Sequence, residues 1–321
     1  MKKICAFILI ALNSIAIQAQ TYKEYAQKAD SCYRAKDYKP STEYYEKAFK
    51  KEHTNSTDLY NGACSAALSN ETKKAYTWLD LAIANGYENI NHLKKDSDLE
   101  VLHSQKEWEK LISKFQKKID LVEANYDKPL QKELLLIYDE DQNIRKDFMA
   151  VYKDSNSSKK KIDSIGKIMN YKDSINLIKV SKILDKKGWV GKSTVGSQAN
   201  QTLFLVIQHS DLKIQQKYLP MMRDAVKKGN ANSSSLALLE DRVALREGRK
   251  QIYGSQIAMN SITKKNYISP IEDPDNVDKR RTEVGLGLLS DYVKNWNIIW
   301  DVEAYKKELP ELERISQQKR K

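Results

Sequence analysis

Glycine and proline are scarce in this chain. Its 321 residues include 11 glycines and six prolines, the residues that tight turns most often use. This scarcity disfavours an all-β protein with many turns and favours long helices. A hydrophobic content of 40% and a charged content of 31% suit helices with one buried and one solvated face. We therefore predict a mainly α-helical protein of about two domains, at roughly 100–200 residues each.

Cysteine is also scarce, and the common catalytic signatures are absent. Three cysteines are too few for an exported fold that disulfides hold together. Cys32 and Cys64 could pair with each other, but two free, buried thiols are the preferred interpretation. The chain has no GxSxG, HExxH or phosphate-binding loop. No second histidine lies near His209 at the spacing of a zinc site, so no metal and no cofactor are expected.

The N-terminus has the pattern of a secretory signal peptide. Lys2 and Lys3 form the basic region, residues 4–17 form the apolar region, and Ala19 suits the position before a cleavage site. The apolar run is shorter than the ~20 residues that a spanning helix needs. We expect residues 1–19 to be removed. The mature chain would be exported, to the periplasm or beyond the cell, without an integral membrane segment.

Positive charge exceeds negative charge, with a formal net charge of +12. Such an excess suits nucleic acid or an anionic surface, but most lysines are scattered and mixed with carboxylates. Two basic clusters stand out: we predict that Lys159–Lys161 lies in a loop or a frayed helix and that Lys319–Lys321 ends a basic tail over residues 313–321. Solvated faces explain the charge better, so no nucleic-acid partner is expected.

The first half repeats alanines at a period of 34 residues: Ala29 recurs at Ala63, and Ala48 recurs at Ala82. Small side chains at this period allow the two helices of a repeat to touch. The pattern resembles the tetratricopeptide repeat, in which each repeat is a helix–turn–helix unit. The sequence departs from that family at Ser41, where alanine is usual.

The resemblance extends past the two repeats. Asp96 or Ser97 is predicted to cap a short helix, and the sequence around Trp108 resembles the final helix of many such arrays. We assign the resemblance to about residues 22–115, within a first domain at 20–125. It implies either a module that binds a protein or peptide, or a spacer that orients the second half.

The second half, residues 126–312, is predicted to be a mostly helical domain with a small β-hairpin. The chain pattern predicts helices around 134–152, 172–187, 201–209, 212–228 and 236–247, and strands at 251–256 and 266–270. The motifs DQNIR, GWVG, QTLFLVIQHSD, LLEDRVALREGRKQIYGSQ and PIEDPDNVDKRRTEVGL follow one another over about residues 130–305. In this order they resemble a family of bacterial domains of unknown function, a resemblance that implies a fold but no activity.

Polar side chains within apolar helices indicate a candidate site. Gln208 and His209 end a helix whose Leu203–Ile207 segment is apolar on every side, and an unpaired buried polar group costs ~1–3 kcal/mol. They either support the fold or face a cavity. The segment 251–286 is too polar for an ordinary core, so it is either a loop or part of a site.

Arginines supply the second part of this candidate site. Arg242 and Arg246 are i,i+4 neighbours, so they repel unless carboxylates or an anionic ligand balance them. Asp241 and Glu247 could supply that balance. The candidate acid or base is His209, and the candidate ligand-binding residues are Gln142, Arg145, Arg242, Arg246, Tyr253, Gln256, Asp278 and Arg281.

Two functions from different classes remain open. The first is an exported interaction or scaffold protein of the cell envelope that binds a protein or peptide partner through the repeats. The second is an enzyme or small-anion-binding domain that uses His209 with Arg145, Arg242 and Arg246. The absence of a catalytic signature favours the first. A pocket in which His209 and the arginines converge near a carboxylate would favour the second.

Overall fold

A computed structural model describes residues 21–260 and 263–318. The predicted signal peptide and Lys319–Lys321 lie outside these residues. The described residues form sixteen α-helices and one two-stranded antiparallel sheet. The prediction of a mainly α fold with a small hairpin is therefore confirmed. Contacts divide the chain into unit 1, which ends at Leu121, and unit 2, which begins at Val122.

Unit 1 is built from helices that pack in chain order. Its elements are α1 (Tyr22–Arg34), α2 (Tyr38–Phe49), α3 (Ser56–Leu68), α4 (Thr72–Ala84), α5 (Ile90–Leu93), a 3-10 turn (Ser97–Leu99), α6 (Glu100–His103) and most of α7 (Lys106–Glu123). Helix α1 packs on α2, α2 on α3, and α3 on α4.

The repeated alanines lie where these helices touch. Ala29, Ala48, Ala63 and Ala82 are each fully buried, because no larger side chain fits between closely packed helices. Ser41 is also fully buried: its hydroxyl donates to the Ala29 carbonyl oxygen at 2.9 Å and lies 2.9 Å from the hydroxyl of Ser65. The departure from the family pattern at Ser41 is thus compensated by hydrogen bonds.

Unit 2 begins with long helices and ends with short elements. The long helices are α8 (Lys128–Lys153), α9 (Lys159–Lys187), α11 (Ser197–His209), α12 (Leu212–Lys227), α13 (Ser233–Arg246) and α16 (Val302–Gln318). The short elements are α10 (Lys192–Val195), β1 (Ile257–Met259), β2 (Asn266–Ile268), a 3-10 turn (Pro274–Asn276), α14 (Val277–Glu283), α15 (Leu289–Val293) and a 3-10 turn (Lys294–Trp296).

Two apolar clusters hold unit 2 together. The first surrounds α11, whose Leu203 and Ile207 are fully buried among α8, α9, α12 and α13. The second lies beside the hairpin and includes Ile271, Leu289 and Tyr305. The buried middle of α11 agrees with its apolar sequence, and its polar end at His209 is held between neighbouring helices.

The start of α9 differs from the prediction. The helix begins at Lys159 and not at residue 172, so Lys159–Lys161 is its first turn and not a loop. The charged stretch had indicated a loop or a frayed helix, and three lysines at a helix N-terminus do oppose the helix dipole. The side chain of Ser158 accepts a hydrogen bond from the Lys161 amide and caps the helix. Gly188 ends it with a positive φ of 71°, as predicted.

The first strand of the hairpin also differs from the prediction. Residues 251–256 are not a strand; β1 follows them and pairs with β2 in the register Ile257 to Ile268. The amides of Ile252, Tyr253 and Ser255 donate to the carboxylate of Asp241, so they are not available to a sheet.

The C-terminal helix and the cysteines can also be compared with their predictions. Helix α16 continues to Gln318, so residues 313–318 of the predicted tail are helical. Cys32 and Cys64 are both free thiols, as preferred, but only Cys64 is buried, whereas Cys32 is half-buried. Every helix within the described part of the chain is too short or too polar to cross a membrane.

Candidate functional site

The candidate site is centred on a histidine–aspartate pair at the end of α11. His209 Nδ1 lies 3.0 Å from Oδ1 of Asp141 on α8. Asp141 is only 1% exposed. Burial by itself would raise the pKa of Asp141, but the hydrogen bond and charge of His209 and the charge of Arg145 outweigh it and lower that pKa. The carboxylate is therefore held ionised and fixes the imidazole ring.

Arg145 and Gln142 occupy the remaining positions around this carboxylate. Gln142 Nε2 donates to Asp141 Oδ2 at 2.7 Å. Arg145 Nη1 lies 3.2 Å from Asp141 Oδ1, and its two Nη atoms donate to the two oxygens of Asp173 at 2.9 and 3.0 Å. This bidentate pair engages both terminal nitrogens of the guanidinium. Arg145 therefore supports the site, because its Nη atoms are held by Asp141 and Asp173.

Two further arginines reach the same helix end from α13. Arg242 Nη1 donates to the Gln208 carbonyl oxygen at 3.0 Å, and Arg246 Nη1 donates to the Ser210 carbonyl oxygen at 2.8 Å. These carbonyls flank His209. They carry the negative end of the helix dipole, which explains why cations collect there. Burial lowers the pKa of Arg242, and the neighbouring charges of Arg246 and Arg145 lower it further.

The carboxylates that could have balanced these arginines have other partners. Asp241 is fully buried and accepts the backbone amides of residues 252, 253 and 255. Glu247 accepts from Gln216 and Arg249. Within residues 21–260 and 263–318, neither Arg242 nor Arg246 forms an ion pair. The proposed balance by Asp241 and Glu247 is therefore wrong, and both arginines keep their positive charge uncompensated by a carboxylate.

The remaining predicted residues separate into two groups. Gln256 belongs to the site because its Oε1 accepts from Arg242 Nε at 3.2 Å. Tyr253, Asp278 and Arg281 make contacts that hold the loops beside the second apolar cluster instead. Arg281 is 2% exposed, and it donates to the carbonyl oxygens of Tyr253 and Gly287. Asp278 accepts the Leu289 amide at 2.6 Å.

A small cavity opens beside the histidine–aspartate pair. It has a volume of about 90 Å³, and its lining includes Asp141, Asp173, Ser174 and His209. The volume suits a few water molecules, because one water occupies about 30 Å³ in the liquid. Two of its lining side chains are carboxylates, and neither Arg242 nor Arg246 lines it. His209 Nε2 makes no hydrogen bond to any described residue. The ring therefore has one nitrogen fixed by Asp141 and one that can exchange a proton with a ligand.

Sequence reasoning did not include Asp173 or Asp141 among the candidate site residues. Asp173 lies in the first turn of the helix predicted at 172–187, whose start is in fact Lys159, and no helix face was assigned to it. A signal was present, because Asp173 and Val180 are seven residues apart and lie on the same side of a helix. Val180 is fully buried, which places Asp173 at the edge of the core.

A comparison with protein families agrees with the motifs in this half of the chain. Residues 128–305 match the model of DUF6624, a family of unknown function. The chain belongs to this family. The match covers more than half of the sequence and confirms the resemblance seen over about residues 130–305; it does not extend to the repeats of unit 1. Searches of curated proteins and of solved structures found no match.

Proposed function

We propose that the DUF6624 domain binds a small anion beside Arg242 and Arg246, with His209 exchanging a proton with the bound ligand. The proposal rests on the guanidinium groups of Arg242 and Arg246. Neither group pairs with a carboxylate of the described residues, and they donate to the backbone carbonyls on either side of His209. Arginine has a planar fork that matches carboxylate and phosphate oxygens. An anion there would balance the charge that Asp241 and Glu247 leave uncompensated.

The histidine supports a chemical role beyond binding. Asp141 fixes Nδ1, and Nε2 makes no hydrogen bond to a described residue, the arrangement in which an imidazole acts as a general acid or base. Arg145 and Gln142 hold Asp141 in place. We therefore favour the second of the two functions left open by the sequence, because Arg242 and Arg246 contact the backbone on either side of His209 and Asp141 holds its ring.

Inorganic phosphate is a suitable first probe of this site. A ligand that binds only the folded protein raises its melting temperature, so phosphate should stabilise the full chain against heat. Arg246→Gln should abolish that increase, since Arg246 is exposed and its loss leaves the core intact. Arg249→Gln is the matched control, because Arg249 lies nearby but already pairs with Glu247. Its response to phosphate should equal that of the wild type.

The phosphate experiment decides whether Arg242, Arg246 and His209 bind an anion or only support the fold. Equal stabilisation of the wild type and Arg246→Gln by phosphate would reject Arg246 as a ligand. No response to phosphate, acetate or succinate in the wild type would reject the anion site. A His209→Gln variant that binds phosphate like the wild type would limit His209 to a role after binding.

We also propose that α1–α4 form two tetratricopeptide-like repeats that bind a protein or peptide partner of the envelope. The turns after α1 and α3 support the repeat, because Lys36 and Asn70 both adopt a positive φ, of 63° and 62°, at the 34-residue period. A groove of about 610 Å³ lined by tyrosine and aspartate side chains supports the binding role. Its lining includes Tyr33, Tyr45 and Tyr60.

A photo-crosslinking residue tests this groove. We expect a crosslinked partner when the residue replaces Asn61, which lines the groove. Lys73 on α4 is exposed and does not line it, so the same residue at Lys73 should give no adduct. Equal adducts from both positions, or none from Asn61 in cells that produce the full chain, would argue against a partner in the groove.

We propose further that residues 1–19 are removed on export and that the mature protein is periplasmic or extracellular. Thr21 supports this placement of the cut, because its hydroxyl accepts the Glu24 amide and caps α1. Cleavage before Gln20 leaves that cap intact. Mass spectrometry of the protein from an envelope fraction should find an N-terminus at Gln20 or Thr21. An intact Met1 on that protein would contradict the proposal.

A further inference from the structure

Helix α9 has a second apolar face that lies away from the core. Its core face includes Asn176 and Val180, which are both fully buried. The α9 stripe consists of four other apolar residues: Ile168, Tyr171, Ile175 and Ile178. Since an α-helix has about 3.6 residues per turn, these four lie on roughly the opposite side of α9. Three of them are largely exposed, at 49% for Ile168, 68% for Tyr171 and 67% for Ile178.

The spacing within the α9 stripe is that of a helix that pairs with another helix. Its members follow one another at intervals of three, four and three residues. This alternation places apolar side chains at positions a and d of a heptad, where they pack between the side chains of a partner helix. Within the described residues, the stripe takes no part in the two apolar clusters of unit 2. Its length of about 15 Å, at 1.5 Å per residue, suits about three turns of a partner.

The charges beside the α9 stripe are all positive. The flanking e and g positions carry lysine or serine and no carboxylate: Lys167, Lys172, Ser174 and Lys179. Lys179 Nζ lies 3.3 Å from Glu140 Oε2 on α8, whereas Lys167 and Lys172 form no ion pair with a described residue. Side chains at e and g set the choice of partner through ion pairs between helices. A second copy of the stripe would place lysine against lysine in either orientation, so the charges favour an acidic partner.

We propose that the α9 stripe binds an amphipathic helix of another protein, with apolar residues at a and d and glutamate or aspartate at e and g. The apolar side chains of that helix remove Tyr171 and Ile178 from water, and its carboxylates pair with Lys167 and Lys172. Apolar patches with a polar rim are typical of protein interaction sites. The stripe shares no residue with the anion site or with the groove of unit 1, so this proposal depends on neither.

Two synthetic helical peptides test this surface on the full mature chain. The acidic peptide has leucine at a and d and glutamate at e and g, and repulsion between glutamates keeps it from pairing with itself. The basic control peptide differs only in having lysine at e and g. In fluorescence anisotropy we expect saturable binding of the acidic peptide and no binding of the basic peptide. Added salt should weaken the binding, because it screens exposed ion pairs.

Substitutions at exposed positions show whether the α9 stripe is the surface that binds. Tyr171→Ala combined with Ile178→Ala should weaken binding of the acidic peptide at least about tenfold, because the apolar contacts are lost, while alanine keeps the helix. Met149→Ala is the matched control: Met149 is 43% exposed on α8, outside the stripe, and its loss should leave binding unchanged. Lys167→Glu combined with Lys172→Glu should reverse the preference, so that the basic peptide binds and the acidic peptide does not.

Several results would overturn the proposal. The first is a wild type that binds neither peptide, or binds both with equal affinity. The second is a wild type that is dimeric in light scattering while the Tyr171→Ala, Ile178→Ala variant is monomeric, which would assign the α9 stripe to a second copy of the chain. The third is binding to phosphatidylglycerol vesicles that the same double variant loses, which would assign the stripe to an anionic lipid surface.

Discussion

His209 Nδ1 and Asp141 Oδ1 are 3.0 Å apart, and this bond joins the end of α11 to the middle of α8. The two residues are 68 positions apart in the chain. The bond connects the first apolar cluster of unit 2 to the arginines of the candidate site. It is therefore both a structural contact and the element that sets the orientation of the imidazole.

Asp141 should make the stability of unit 2 dependent on acid pH. Its pKa is lowered in the folded state, so its contribution is fully present above the unfolded pKa of about 3.9 and is lost as pH falls through the lower folded value. Asp141→Asn should cost roughly 3 kcal/mol at neutral pH. The difference from the wild type should shrink below about pH 4.

Urea unfolding of both proteins from pH 3 to pH 7 measures this difference. Asp139→Asn is the control, since Asp139 lies on the same helix and is exposed; it should change stability little at any pH. A loss for Asp141→Asn that stays constant down to pH 3 would contradict the lowered pKa.

Asp241 should be essential for the loop that precedes the hairpin. Asp241→Ala removes the acceptor of the Ile252, Tyr253 and Ser255 amides, and each unpaired buried group costs about 1–3 kcal/mol. We expect a loss of at least about 3 kcal/mol and faster hydrogen exchange at these three amides. Asp224→Asn should leave that exchange unchanged, because Asp224 is exposed. Unaltered protection in Asp241→Ala would show that the carboxylate does not order the loop.

Gly254 and Gly229 should respond differently to alanine although both have a positive φ, of 67° and 72°. A Cβ at Gly254 would lie 3.0 Å from the side chain of Ile271 and 3.1 Å from that of Leu289, whereas a Cβ at Gly229 meets nothing within 4 Å. Gly229→Ala should cost only the left-handed penalty of about 1–2 kcal/mol. Gly254→Ala should cost about 1–3 kcal/mol more, as overpacked cores do. Equal melting temperatures for the two variants would contradict the steric argument.

Ser41 and Ala63 test the packing of unit 1. Ser41→Ala removes two hydrogen bonds but creates no clash, and it restores the residue usual in tetratricopeptide repeats, so we expect a loss below about 1 kcal/mol. Ala63→Leu forces a larger side chain into a fully buried position and should cost about 1–3 kcal/mol or more. Thermal unfolding of the two variants should separate them clearly. A greater loss for Ser41→Ala would mean that its hydrogen bonds, and not helix contact, dominate this interface.

Local sequence patterns predicted much of the fold. The apolar segment Leu203–Ile207 indicated a buried helix, and α9 ends at residue 187, the predicted end, with Gly188 as its C-cap. These features could be predicted because they depend on residues that are close together in the sequence. The predicted start of α9 was wrong because Ser158 caps a helix that begins with three lysines. The predicted position of β1 was wrong because Asp241 accepts backbone amides that a strand would use in the sheet.

The candidate site could be predicted only in part, because its pairings join residues that are distant in the chain. His209, Arg242 and Arg246 were recognised as polar residues on apolar helices. Whether Arg242 pairs with Asp241 or with the Gln208 carbonyl depends on which loop Asp241 faces. A carboxylate next to an arginine in sequence gives no information on that point.

The sequence by itself determined the helical class, the family of the second half and the set of polar residues worth testing, because periodicity and motifs are local properties. Only the tertiary structure decided how those residues are paired. Asp141 lies beside His209, Arg145 pairs with Asp173, and Cys64 lies beside Asp96. Charge compensation and hydrogen bonding depend on distances of 3–4 Å between distant parts of the chain, and packing sets those distances.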